Sequence, residues 1–207
     1  MLAAWASLVV LASAAGFAQA PPALQDFPAC PSQVAASYTV LAVQVGDGGK
    51  PTAVTPLFGN RSWLDSAQSA AGDMTFAAAP AGAEVGVLCG KSAVPKIGYV
   101  FDASALQQQG TSLAHIAPAI AEELAGEKVE GKLPAYARAR YVRGPVQMLV
   151  FVTETGTVAA AFAQSGSSEL IHAAADAARQ WKFRPYVPAG KARPFETSIT
   201  IRFTNTR

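Results

Sequence analysis

An internal repeat is the feature that most restricts what this chain can fold into. A shift of 107 positions lays Tyr38 to Pro80 over Pro145 to Val187 without a gap. Val43 and Val45 then fall on Val150 and Val152, Gly49 on Gly156, Ala53 on Ala160 and Gly59 on Gly166. Further along, Ala67, Ala70 and Ala71 fall on Ala174, Ala177 and Ala178, and Phe76 on Phe183. Alanine is common in this chain, so the order of features carries more of the argument than the identities do. That order is the same twice: an alternating strand, a glycine turn, a second strand, a glycine-containing loop, a short alanine-rich helix and an aromatic residue.

The second half shows the pattern most clearly. Val146, Met148, Val150 and Val152 alternate with a period of two, and Glu154-Thr155-Gly156 is a hairpin turn into a strand from Thr157 to Phe162. A helix is expected from about Ser167 to Trp181, with Ser167 or Ser168 as N-cap and Leu170, Ile171, Ala174, Ala175, Ala178 and Trp181 on one stripe. Pro185 and Pro188 end it, and Gly190 turns the chain into a last strand from Phe195 to Phe203. The repeating unit reads as β-β-α-β. Between the two copies, Ser104 to Glu127 reads as one helix interrupted near Pro118, with Leu106, Leu113, Ile116, Ile120 and Leu124 as its apolar residues. The expected fold class is therefore α+β: two small β-β-α-β domains with a helical segment between them.

The first twenty residues, Met1 to Ala20, are apolar or small and end in Ala18-Gln19-Ala20, an A-x-A cleavage site followed by Pro21-Pro22. A secretory signal is the expectation. An uncleaved short anchor is the other reading, because no Lys or Arg precedes Lys50 and the segment has the lower limit of spanning length. Residues 21–37 form a proline-rich tether. In an exported compartment Cys30 and Cys89 point to one disulfide, since zinc would need further Cys or His ligands nearby. Closing such a loop stabilises by up to about 4 kcal/mol in the chain-entropy picture.

Sixteen Lys and Arg against fourteen Asp and Glu leave a net charge of +2, too balanced to argue for nucleic acid. Ser168, His172 and Asp176 stand four apart on one helix face, but parallel side chains on one helix do not give an imidazole its two opposed partners, so no catalytic role is expected. His115, the other histidine, reads as a packed or surface residue. Gly46-Asp47-Gly48-Gly49-Lys50 lacks phosphate-loop spacing and reads as a hairpin turn. Arg138, Arg140 and Arg143 form a basic lead-in that reads as a solvated stretch, with contact to an acidic peptide or a lipid headgroup as the other reading. No metal or cofactor is expected, and the chain is not expected to be an enzyme.

Several residues of the second half carry a family resemblance from Leu133-Pro134 to Phe203. They are Pro134, Ala137, Arg140 and Gly144 before the first strand, Val150 and Val152 in it, Gly156-Thr157-Val158 at the turn and Ser165-Gly166 before the helix. Leu170, Ala173, Ala174 and Ala177 follow, then Trp181-Lys182-Phe183-Arg184-Pro185 and Gly190-Lys191. In these residues the segment resembles the C-terminal domain of TonB energy transducers, with the W-x-F-x-P element the most specific part. Tyr136 stands after Pro134, where the family places it before. The resemblance implies a TonB-C-like domain over residues 129–207, a diverged copy over 38–102 and a helical connector over 103–128. It also implies a periplasmic domain that takes a peptide segment of an outer-membrane receptor by strand addition. The expected edge strand is Thr197, Ser198, Ile199, Thr200, Ile201, Arg202 and Phe203. The family's long Pro-, Glu- and Lys-rich spacer has no counterpart here, which weakens the implied role from energy transducer to binding module. The rival expectation is a structural envelope module that self-associates as a homodimer through the same edge. Membrane contact is expected only through an uncleaved amino-terminal segment.

Overall fold

A computed structural model of the chain describes residues 39–59, 64–76, 81–89, 96–109 and 113–204. The expected signal, the tether and Cys30 lie outside the described residues. The first half contains β1 (Thr39–Val45), β2 (Pro51–Phe58), α1 (Leu64–Gly72), β3 (Glu84–Cys89) and β4 (Lys96–Val100). Then come α2 (Ala103–Gln109), β5 (Ala114–His115), α3 (Pro118–Leu124), β6 (Ala125–Glu127), β7 (Gly131–Lys132) and α4 (Ala135–Ala139). The second half contains β8 (Val146–Val152), β9 (Val158–Ser165), α5 (Ile171–Gln180), β10 (Lys182–Phe183), β11 (Phe195–Ile201) and β12 (Phe203–Thr204).

One eight-stranded sheet runs in the order β2-β1-β3-β4-β9-β8-β11-β5. Its pairs are antiparallel except β11 with β5. Alternation explains why its middle is buried on both faces. Leu41, Val43 and Val45 of β1 pack with Ala67, Ala71 and Phe76 under α1, and Met148, Val150 and Val152 of β8 pack with Ala174, Ala175 and Ala178 under α5. Intervening residues Val40, Ala42, Leu149, Phe151 and Phe162 face the other side, where Leu106 of α2 covers them. Small alanines let α5 lie close on the strands.

Sequence positions 107 apart play the same structural part. The β1–β2 pairs Val40 with Phe58, Val43 with Val54 and Val45 with Pro51 recur in β8–β9 as Gln147 with Ser165, Val150 with Ala161 and Val152 with Val158. Both register shifts recur too, at Val40/Leu41 and Gln44/Val45 and again at Gln147/Met148 and Phe151/Val152. The aromatic after each helix closes on the glycine of each turn. The Phe76 N–H donates to the Gly49 carbonyl at 2.8 Å, and the Phe183 N–H donates to the Gly156 carbonyl at 2.9 Å. Both glycines have positive φ, 76° and 84°, which a side chain would strain.

Three expectations need correction. The two β-β-α-β units do not stand as separate sheets, because β4 pairs with β3 on one side and β9 on the other and makes one sheet of both. The connecting segment is not one interrupted helix. Backbone groups at Ala114–His115 and Ala125–Glu127 are taken by strand partners β11 and β10, leaving only α2 and α3 helical, with Pro118 in the first turn of α3. At the start of α5, Ser167 makes no side-chain capping bond, and a single 3-10 turn over Ser168–Leu170 precedes the helix instead.

Candidate functional site

In β11, Phe195, Ile199 and Ile201 enter the core beneath α5, while Glu196, Ser198 and Thr200 lie on the other face. Backbone direction follows from an adjoining bond. In an antiparallel ladder a residue's N–H and C=O point to the same neighbour. The Glu196 carbonyl accepts from the Ile116 N–H at 3.0 Å, so the even-numbered residues of β11 turn their backbone groups away from β8.

That outer flank is covered at both ends. Ahead of the window, β5 pairs in parallel with Phe195 and Glu196, and Thr197 Oγ1–H donates to the Ile116 carbonyl at 2.9 Å. Beyond it, the Gly131 N–H donates to the Arg202 carbonyl at 2.7 Å, and β7 pairs with β12. Between these covers, Ser198 and Thr200 present N–H and C=O groups with no backbone partner among the described residues. The expected open edge from Thr197 to Phe203 is thus two segments, β11 and β12, with a window at Ser198–Thr200. A cavity of about 410 Å³ lies beside it, lined by Pro118 and Glu122 of α3, Val129, Trp181, Ile199 and Arg202, among others.

The corresponding flank in the first half is filled. Strand β3 lies on β1 as β11 lies on β8: Val43 faces Val85 and Gln44 faces Glu84, where Val150 faces Thr197 and Phe151 faces Glu196. Continuing that register, Gly86 corresponds to Ser198 and Leu88 to Thr200. Gly86, Val87 and Leu88 are the residues that pair with β4.

Trp181 shapes the cavity wall. It is buried, its indole Nε1–H donates to the Val129 carbonyl at 2.9 Å, and its ring lies 6.0 Å from that of Phe183. Charge at the mouth is mixed, with Lys128 paired to Glu122 and both Glu130 and Arg202 lining the cavity. Near the covered end, His115 Nδ1 lies 3.1 Å from Glu196 Oε1. Burial raises the Glu196 pKa and the His115 contact pulls it back. Glu196 Oε2 is buried with no hydrogen-bond partner.

The three lead-in arginines do not act together. Arg140 Nη1 is 2.9 Å from Glu169 Oε1, and Arg138 sits in the last turn of α4. Arg143 instead lines a second cavity with Arg202. Ser168, His172 and Asp176 also fail to form a relay. His172 Nε2 is 3.4 Å from Asp176 Oδ2, no hydrogen bond joins Ser168 to His172, and the imidazole packs edge-on at 5.2 Å against Tyr99 of β4. Burial and the Asp176 charge push the Tyr99 hydroxyl up to about 12, so it stays protonated in this joint between β4 and α5. Among the described residues no group of three or more His, Cys, Asp and Glu could hold a metal ion, and no helix is long and apolar enough to cross a membrane.

Residues 130–204 match the family model of the Gram-negative bacterial TonB protein C-terminal. The match spans β7 to β12, so the TonB C-terminal-like part includes the hairpin, α5, Trp181 and the window. No curated protein and no solved structure matches the chain. Sequence reasoning placed this part of the chain but missed the covers at both ends of β11, the burial of Glu196, and the cavity that Arg143 and Arg202 both line. Each depends on residues distant in sequence, and no local pattern signals them.

Proposed function

We propose that the TonB C-terminal-like part is a periplasmic binding module that accepts an extended peptide segment, such as one from an outer-membrane receptor, as an added strand on β11. The observation that carries this reading is the pair of unpartnered backbone positions, Ser198 and Thr200, facing an open cavity. Unpaired N–H and C=O groups on a strand edge are a template for another strand. The first half supports the reading, since the same window there holds β4. Affinity would come from the backbone bonds, and selectivity from side chains meeting Val129, Trp181 and Arg202.

In this reading the first half is a diverged copy of the same domain, supported by coincident pairing registers and by the matching Phe76–Gly49 and Phe183–Gly156 bonds. Its own corresponding edge is already used by β4, so among the described residues the Ser198–Thr200 window is the one of this pair left without a strand. Export through the Met1 to Ala20 segment and a Cys30–Cys89 disulfide complete the proposal. Cys89 is buried at the end of β3. The chain then serves transport by recognising a partner, without catalysis.

Titration of isotope-labelled protein with synthetic peptides from receptor amino-terminal segments tests the idea. Saturable amide shifts at Ser198, Ile199 and Thr200, with new exchange protection at Ser198 and Thr200, are expected. A concentration-dependent dimer in sedimentation, with no peptide uptake, would assign the window to a second copy instead.

A further inference from the structure

Arg202 belongs to two cavities. It lines the one beside the window, and it also lines a neighbouring cavity of about 260 Å³ with Leu133, Arg143, Gly144, Pro145 and Phe203. This second cavity is lined both by Arg143 of the lead-in loop and by Arg202, which stands between β11 and β12. Its lining contains no carboxylate. Among the described residues neither Arg143 nor Arg202 has an Asp or Glu within ion-pair distance, whereas Arg140 nearby does. Leu133 is buried and Phe203 half-buried, giving the pocket an apolar base beneath an exposed basic rim. Two forks of N–H donors above an apolar floor suit a carboxylate carried on a short aliphatic stem.

We propose that Arg143 and Arg202 form a carboxylate subsite for the guest strand. This inference rests on the strand-addition reading, because the position of the pocket gives it meaning. Arg202 follows Thr200 by two residues, about 7 Å along an extended chain. A guest paired at Ser198–Thr200 leaves the flank where Gly131 covers Arg202, and an acidic side chain two or three residues beyond its paired segment then meets the exposed Arg202 side chain at the pocket. A guest antiparallel to β11 carries that acid on its amino-terminal side, and a parallel guest carries it on its carboxyl-terminal side. The ligand class is an acidic extended peptide, not a basic or purely apolar one.

The test uses the full chain and capped synthetic peptides bearing the β4 sequence Lys-Ile-Gly-Tyr-Val. One peptide is preceded by Asp-Ala and one followed by Ala-Asp, and each has an Asn twin. One of the two Asp peptides is expected to bind roughly three- to tenfold tighter than its twin. That advantage should vanish in Arg143→Gln and in Arg202→Gln, and should shrink as salt is raised. Both arginines are exposed, so these variants keep the fold. Equal binding of Asp and Asn twins, with amide shifts still present at Ser198 and Thr200, overturns the subsite and leaves strand addition standing. Absence of binding by every peptide overturns both. If the twins bind alike while phosphatidylglycerol vesicles bind the wild type and not the arginine variants, the pocket takes lipid headgroups and the peptide subsite is wrong.

Discussion

The Trp181 indole N–H donates to the Val129 carbonyl, 2.9 Å away, so the residue that ends α5 also holds the segment running beside the open window. This bond ties the most recognisable element of the sequence to the place where a guest would lie. Trp181→Phe removes the donor, leaves the half-buried Val129 carbonyl without it and is expected to cost about 1 kcal/mol in urea denaturation. Amide exchange at Lys128 to Gly131 should quicken more than exchange in β8. Equal quickening in both places would show that Trp181 acts only through general packing.

Alternate residues of β11 should respond oppositely to proline. The Thr200 N–H points to the open flank, so Thr200→Pro removes the donor proposed for docking without taking a ladder bond from β8. That variant should keep its fold and lose strand-type peptide binding. Ile199 directs its backbone to β8 opposite Met148, so Ile199→Pro breaks the ladder and should destabilise by roughly 2 to 4 kcal/mol. Circular dichroism melts and peptide titration of the pair distinguish these outcomes. Thr200→Pro binding as wild type would remove Thr200 from the acceptor edge.

Gly98 is where the two halves meet. A Cβ there would run into the Ala161 carbonyl oxygen and lie 2.7 Å from the Phe162 Cα, and neither is the end of a flexible side chain. Gly98→Ala is therefore expected to force β4 from β9 and to cost roughly 2 kcal/mol or more. Hydrogen exchange should show the loss first at Gly98, Ala161 and Phe162, with the β8–β11 pairing kept. A fully native exchange pattern in Gly98→Ala would mean that the junction adjusts more readily than its geometry allows.

Glu196 gives a pH dependence of stability. Its folded pKa is raised by burial, so the native state binds the proton more tightly than the unfolded chain does. The associated stability is present at low pH and is lost as pH rises from the ordinary glutamate range through the raised value. Glu196→Gln should flatten this decline. Unfolding curves at a series of pH values, wild type against variant, check it, and parallel profiles would rule the carboxyl out as the source.

Much of the second half was legible because its determinants are local. Alternation at Val146 to Val152, the glycine turn at Gly156 and the stripe of Ala174, Ala175 and Ala178 each specify one element through nearest-neighbour sterics and burial. The shift of 107 positions pointed to the same elements in the first half, and the bounds of β1, β2 and α1 there coincide within a residue with those of β8, β9 and α5 so shifted. The connecting segment was harder. Ala114–His115 and Ala125–Glu127 have helical periodicity around them, yet their backbone groups are satisfied by β11 and β10, partners that no local pattern names.

By itself the sequence determined which residues alternate, where the chain turns, and which segment is similar to the TonB C-terminal. Tertiary structure alone decided that β4 would weld both halves into one sheet, that β5 and β7 would cover the ends of the last strand, and that Arg143 and Arg202 would line one cavity. The reason is physical: side-chain burial is encoded in short-range periodicity, whereas the fate of an edge's backbone groups depends on which distant segment arrives beside them.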